Sequence, residues 1–198
     1  MVVAFANLKG GVGKSFLALH FSEWLRRAGR PVILAELDTQ QSLAQLHEVS
    51  GSVSVPLTNY VTEPEGGGWC IVDTPPYIST GVYETLRNNT DGIIIPCRAA
   101  LPDILAAIEV RKALGAAATK AALVLNAVRH APAHIAEMSA ALQTVGLPIF
   151  ETIIYDRTAY TRGLSTPGLV WNTGDLKAIS ELESLFSEIV EFLSIKHG

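Results

Sequence analysis

Short apolar runs alternate along this chain with longer stretches in which apolar residues recur every three or four positions. The runs Val2 to Ala6, Pro31 to Leu37, Trp69 to Asp73, Gly92 to Cys97, Ala122 to Ala127 and Ile149 to Tyr155 predict strands. Between them the spacing predicts helices over Lys14 to Ala28, Ser42 to Glu48, Val82 to Asn88, Pro102 to Leu114 and Ala133 to Val145. Gly29-Arg30-Pro31 and Gly146-Leu147-Pro148 read as helix stops that feed the next strand. Strands separated by helical stretches of this length are βαβ units, so a mostly parallel central sheet with helices on both faces is expected. Thr62 to Gly68 is the one loop-like, low-complexity patch. The last segment, Asp175 to Ile195, has apolar residues at 176, 179, 182, 185, 189, 192 and 193 and an acidic polar face. It is expected to be a closing helix packed on the sheet, because a membrane-surface helix would carry a basic face.

Composition narrows the class further. With 198 residues the chain fits one domain, 1–198. Apolar residues make up 48% and charged residues 17%, and the mean hydropathy is +0.29; a disordered chain is excluded. Fifteen Lys+Arg against 19 Asp+Glu leave a net charge of −4, so any nucleic-acid contact must be local rather than a property of the whole surface. Cys70 and Cys97 lie far apart in apolar runs and read as buried thiols of a reducing, cytoplasmic compartment. The amino end has no basic stretch before its apolar run, and no run approaches the length of a membrane span. Neither a signal peptide nor a membrane partner is therefore expected.

The chemistry is concentrated in K-G-G-V-G-K-S, Lys9 to Ser15, between the first strand and the first helix. Glycines let a backbone curl until successive N–H groups point at phosphate oxygens, and the following helix adds the partial charge of its N-terminus. Lys14 is placed to reach the β- and γ-phosphates, and the Ser15 hydroxyl to hold Mg²⁺. This makes the expected fold an α/β, P-loop three-layer sandwich. Leu8 replaces the first glycine of the common form of such a loop, and Lys9 follows it.

K-G-G-x-G-K-[ST] resembles the deviant phosphate loop of the ParA/MinD-type ATPases, most of all the small plasmid and chromosome partition members. The resemblance implies ATP and Mg²⁺ as cofactors, and a homodimer that forms only with ATP sandwiched between subunits. It also makes Lys9 the signature lysine that crosses to the partner's nucleotide. The nucleotide-binding run is then Lys9, Gly10, Gly11, Val12, Gly13, Lys14, Ser15 and Phe16. L-A-E-L-D-T-Q-Q, Leu34 to Gln41, resembles the family's D-x-D-P-Q turn and puts Asp38 where the attacking water is oriented. Glu36 and Thr39 depart from that pattern. C-I-V-D-T-P-P, Cys70 to Pro76, resembles the Walker B segment, with Asp73 as a Mg²⁺ residue beside Ser15 and Asp38. Lys9, Lys14 and Asp38 are the catalytic candidates. Asn126 matches an adenine-reading amide, and Tyr155 and Asp156 are expected to line the same pocket.

Y-D-R-T-A-Y-T-R-G, Tyr155 to Gly163, resembles a family segment that makes nonspecific DNA contacts. Arg157 and Arg162 are its candidates, against the plainer reading of a solvated loop. The chain opens on the loop's own strand, so no amino-terminal helix-turn-helix is expected. The implied function is a positioning ATPase whose ATP dimer binds DNA on the nucleoid and whose slow hydrolysis is stimulated by a ParB-like or cargo-bound adaptor. A membrane-associated MinD-type ATPase and a dethiobiotin-synthetase-like ligase are the alternatives. The cysteines also invite comparison with the iron–sulfur nitrogenase iron protein, and His130 with His134 with a metal pair. Their contexts, apolar strands and a proline-started helix, favour structural roles.

Overall fold

The computed structural model describes residues 1–76 and 80–197. Its strands are β1 (Val2–Phe5), β2 (Val32–Glu36), β3 (Leu57–Thr58), β4 (Trp69–Asp73), β5 (Gly92–Cys97) and β6 (Ala121–Leu125). They form one six-stranded sheet in the order β3-β2-β4-β1-β5-β6, and each pairing is parallel. The helices are α1 (Lys14–Arg27), α2 (Ser42–Ser50), α3 (Thr80–Asn89), α4 (Leu101–Leu114), α5 (Pro132–Gln143), α6 (Thr158–Leu164) and α7 (Leu176–His197).

Alternation along the strands divides the core into two layers. Val3 and Phe5 of β1, Leu34, Ile71, Ile94 and Val124 face the side covered by α1 and α7. Val2, Ala4, Ala35, Val72, Ile93 and Ile95 face the opposite side, with Leu86 of α3, Ile104 of α4 and Leu142 of α5. Both faces are covered, which is why the strands read as nearly continuous apolar runs. The closing helix takes the place expected of it: Ala178, Leu182, Leu185, Phe186, Ile189 and Leu193 are all fully buried. Burying a side chain such as Phe186 is worth about 1.5–3 kcal/mol, so the middle of this face is used by the fold, while Leu176 and Ile195 at the helix ends stay exposed.

Two expectations are corrected. β3, only two residues long, carried no recognisable pattern, yet it extends the sheet beyond β2. The segment Ile149 to Tyr155 is not a strand; it meets β6 through the isolated bridge Leu123–Ile149 and the residues after β6 through Val128–Tyr155. The reason is α7. Glu188 accepts hydrogen bonds from the backbone N–H groups of Glu151 at 2.7 Å and Thr152 at 3.0 Å, and Glu181 accepts one from Tyr155 at 3.2 Å. Phe150 and Ile154 still donate to the Leu123 and Leu125 carbonyls at 2.9 Å, but the Thr152 N–H between them, which a continuous ladder would use, is turned to Glu188 instead.

The connection from β4 crosses β1 to β5, so the strand order reverses on either side of β1. In open α/β sheets the crevice beyond the carboxyl ends of the strands at such a switch point is where ligands bind. The stretch Lys9 to Ser15 leaves β1 there.

Candidate nucleotide site

The phosphate loop is held from several sides. Asn7, fully buried, accepts a hydrogen bond from the Lys9 N–H at 3.0 Å and donates to the Pro96 carbonyl at 2.7 Å, fixing the loop's start to β5. Gly13 precedes α1 with φ 96°, a left-handed conformation that favours glycine. A Cβ there would stand 2.0 Å from the Asn126 amide nitrogen. That amide donates to the Val12 carbonyl at 2.7 Å. Asn126, expected to read adenine, thus spends its NH₂ group on buttressing the loop while still lining the adjoining cavity.

Lys14 opens α1, is buried, and donates from Nζ to the Lys9 carbonyl at 3.1 Å. Burial pushes its ammonium pKa down, and the charges of Asp73 and Asp38 push it back up. The structure therefore brings three residues of separate motifs into one electrostatic cluster. Asp73 ends β4 and is 1% exposed. Burial drives its carboxyl up to about 7; the Ser15 hydroxyl's hydrogen bond and Lys14 counter this, while Glu36 and Asp38 add to it. Its Oδ1 is buried with no hydrogen-bond partner. A buried carboxylate oxygen without a donor, next to a serine hydroxyl, is a donor set that suits a hard cation such as Mg²⁺.

The turn after β2 explains its own departures from pattern. Asp38 is half-buried, and its Oδ1 accepts the Gln40 N–H at 3.0 Å, shaping a tight turn. Glu36 is buried and accepts from the N–H groups of Leu43 at 2.7 Å and Ala44 at 3.1 Å. Its carboxylate thus caps α2, satisfying two of the orphan donors at that helix start.

Lys9 sits at the loop's lip, 40% exposed, with Nζ 2.6 Å from Oδ2 of Asp103, which is 1% exposed. Asp103 lies in the first turn of α4 and escaped the sequence reading. A cavity of about 180 Å³ adjoins the loop, lined by Gly13, Phe16, Asn126, Tyr155, Asp156 and Tyr160 among others. The expected base-pocket residues are therefore gathered beside the expected phosphate residues. Next to it a cavity of about 340 Å³ is lined by Arg98, Arg129, His134 and Asp156. Ala127, on the wall of both, has φ 53°, which is uncommon outside glycine.

The two DNA candidates differ. Arg157 is committed: its Nε donates to Glu181 Oε1 at 2.9 Å, Nη2 also bonds that oxygen, and its guanidinium lies 5.8 Å from the Tyr155 ring centroid. Arg162 is exposed on α6, so the segment is a short helix rather than the solvated loop of the plainer reading. Tyr160, between them, is buried and donates to Glu181 Oε2 at 2.8 Å. Cys70 and Cys97 are buried free thiols; burial pushes the Cys97 pKa up to about 12. Among the described residues no group of three or more His, Cys, Asp or Glu could hold a metal. His134 Nε2 lies 2.8 Å from the Ala99 carbonyl. Nor is any described helix long and apolar enough to cross a membrane.

Comparison with known proteins agrees with this fold. A family model described as the CobQ/CobB/MinD/ParA nucleotide binding domain matches residues 3–166. Maintenance of carboxysome distribution protein A from Halothiobacillus neapolitanus is 26% identical over 207 residues, covering 95% of both chains. The protein of the same name from Gloeobacter kilaueensis is 28% identical over 174 residues, covering 81% of this chain and 79% of its own. Among solved structures, the ATP complex of a Cyanothece McdA variant superposes with a TM-score of 0.74 at 18% identity over 98% of this chain and 96% of its own. A chain of the MinC:MinD cell division protein complex of Aquifex aeolicus does so with 0.72 at 15% identity, over 96% of each chain.

Proposed function

Because the chain belongs to the CobQ/CobB/MinD/ParA nucleotide-binding family, we propose that it is an ATP-dependent positioning ATPase whose ATP-bound dimer binds nonspecific DNA and whose slow hydrolysis a cargo-bound adaptor accelerates. The observation that carries this reading is the convergence of Lys14, Asp38 and Asp73, with Lys9 at the rim, at the switch point of the sheet.

Each side chain has a task in that reading. The loop's N–H groups and Lys14 hold the phosphates, and Ser15 and Asp73 would hold Mg²⁺, with Asp38 on the same side. When bound, that ion neutralises charge on the phosphate oxygens. Asp38 orients the attacking water in line with the γ-phosphate, so catalysis rests on positioning and charge rather than on a covalent step. Asn126, Tyr155 and Asp156 flank the base. Lys9 leaves Asp103 of its own chain to meet the partner's nucleotide, exchanging one anion for another; two subunits then close on two nucleotides.

DNA rather than a membrane is the surface in this reading, since the middle of α7's apolar face is consumed by the core and the exposed Leu176 and Ile195 stand at its opposite ends. Arg162 is the exposed cation for phosphate contact, and Arg157 joins it where the Glu181 pair opens. The cargo we favour is a protein assembly, because two relatives matched over most of their length are named for carboxysome distribution. The dimer would accordingly be found on the nucleoid.

Retention of nonspecific duplex DNA, measured with ATP, with ADP and without nucleotide, tests the reading. Retention with ATP alone, weakened in Arg162→Ala, is the expected result. Equal retention in all three states would remove the switch, and no retention in any state would remove DNA.

A further inference from the structure

We propose that Arg98 is an additional phosphate-binding cation of the nucleotide site, acting from the β5 side on the polyphosphate held in its own subunit. This rests on the nucleotide reading above and adds to it a residue that no motif contains. β1 has two neighbours in the sheet, β4 and β5, and the phosphate loop rises between their carboxyl ends. On the β4 side the first polar group off the strand is the carboxylate of Asp73. On the β5 side Cys97 ends the strand and Arg98 follows it directly. The loop is thus flanked by an acid suited to a cation and by a guanidinium suited to the anion itself.

The approach is close. A Cβ built on Gly11 would lie 3.7 Å from Nη2 of Arg98, so the guanidinium stands beside the loop with room for little more than a methyl group between them. Gly11 is exposed and has φ 71°, a left-handed conformation within the curl that turns N–H groups toward phosphate. Arg98 also lines both neighbouring cavities, so it stands where they meet. Among the described residues its guanidinium has no hydrogen-bond or ion-pair partner; only its backbone carbonyl is used, by the Ala100 N–H at 2.8 Å. Asp156 shares both cavities with it, yet no ion pair joins them.

This contrasts with the other basic groups around the site. Lys9 is taken by Asp103, Lys14 by the Lys9 carbonyl, and Arg157 by Glu181. Among the described residues Arg129 is likewise unpaired, but it lines only the farther cavity. Of the two arginines on the cavity that adjoins the loop, Arg98 is the one whose five N–H donors are all free for a ligand, and a planar fork bridges two phosphate oxygens in a way an ammonium does not. Exposure weakens its bonds to protein carboxylates, but a polyphosphate concentrates several charges at the one place it faces.

The test compares wild type, Arg98→Ala and Arg98→Lys by calorimetry at concentrations where the wild type is monomeric. The ligands are the magnesium complexes of ATP and ADP, and pyrophosphate as a probe without base or ribose. Arg98→Ala should weaken all three by at least about fivefold, with an unchanged thermal midpoint in the absence of ligand, and Arg98→Lys should recover part of the loss. Equal affinity in Arg98→Ala and wild type would overturn the proposal. So would a loss confined to ATP and ADP with pyrophosphate unchanged, which would make Arg98 a base or ribose contact. A wild type that binds none of the three would instead overturn the nucleotide reading itself.

Discussion

At the scale of single residues, charge is held where the chemistry needs it and neutralised elsewhere. Asp38 is spared from any structural ion pair and only shapes its own turn, so its removal should leave the fold and ATP binding intact. Asp38→Ala is expected to slow hydrolysis by roughly 10²–10⁴-fold and leave a long-lived ATP complex. Single-turnover kinetics check this, and normal turnover would take Asp38 out of the mechanism. His20 shows the opposite economy. It is fully buried in α1, its Nδ1 donates to the Phe16 carbonyl at 2.8 Å, and its Nε2 has no partner. Burial pulls its pKa from 6.5 down to about 4. The unfolded chain takes up the proton first as pH falls, so this site's contribution is complete above pH 6.5 and is lost toward pH 4. The loss should approach about 3 kcal/mol. Urea unfolding at several pH values should show a flatter profile for His20→Leu, and parallel profiles would contradict the assignment. The run Lys9 to Ser15 was legible because its chemistry is contiguous in the chain. Asn7, Arg98 and Asp103 were not: they act on the loop by way of strand ends and a helix start that the sheet order alone brings beside it.

At the scale of elements, the runs Trp69–Asp73 and Gly92–Cys97 were read with the boundaries observed, since burial on both faces leaves an uninterrupted apolar signature. Ile149 to Tyr155 carried a similar composition, but Glu188 of α7, 36 residues further along, takes the Thr152 N–H that would have continued the ladder between the Phe150 and Ile154 bonds to β6. Nothing local in the segment records that competition. α6 was missed for a related reason: its seven residues are too few for a periodic pattern, and Ala159, Tyr160 and Gly163 are buried by tertiary packing. Glu188 is therefore expected to secure the 149–155 segment. Glu188→Ala should cost about 1–3 kcal/mol and speed amide exchange at Glu151 and Thr152. Exchange rates equal to wild type at both amides would show that α7 does not hold the segment.

At the scale of the molecule, the fold presents one face, the carboxyl ends of β1, β4, β5 and β6, where the loop, the acids and the adjoining cavity meet. The rim of that face carries Lys9, tied to a buried acid of its own chain. A buried charge that loses its partner is costly, so Lys9 should be released only against a competing anion of high charge density, as a nucleotide on a second subunit would supply. Family membership and sheet architecture were readable from motif order. The Lys9–Asp103 pair was not, because it joins positions 94 residues apart. Sedimentation velocity of wild type and Lys9→Ala, each with magnesium and ATP, with magnesium and ADP, and without nucleotide, tests the central claim most directly. The account predicts a dimer for wild type with ATP and monomers in the other five samples. Dimerisation of Lys9→Ala with ATP as tight as that of wild type, or a wild type that stays monomeric with ATP, would contradict it.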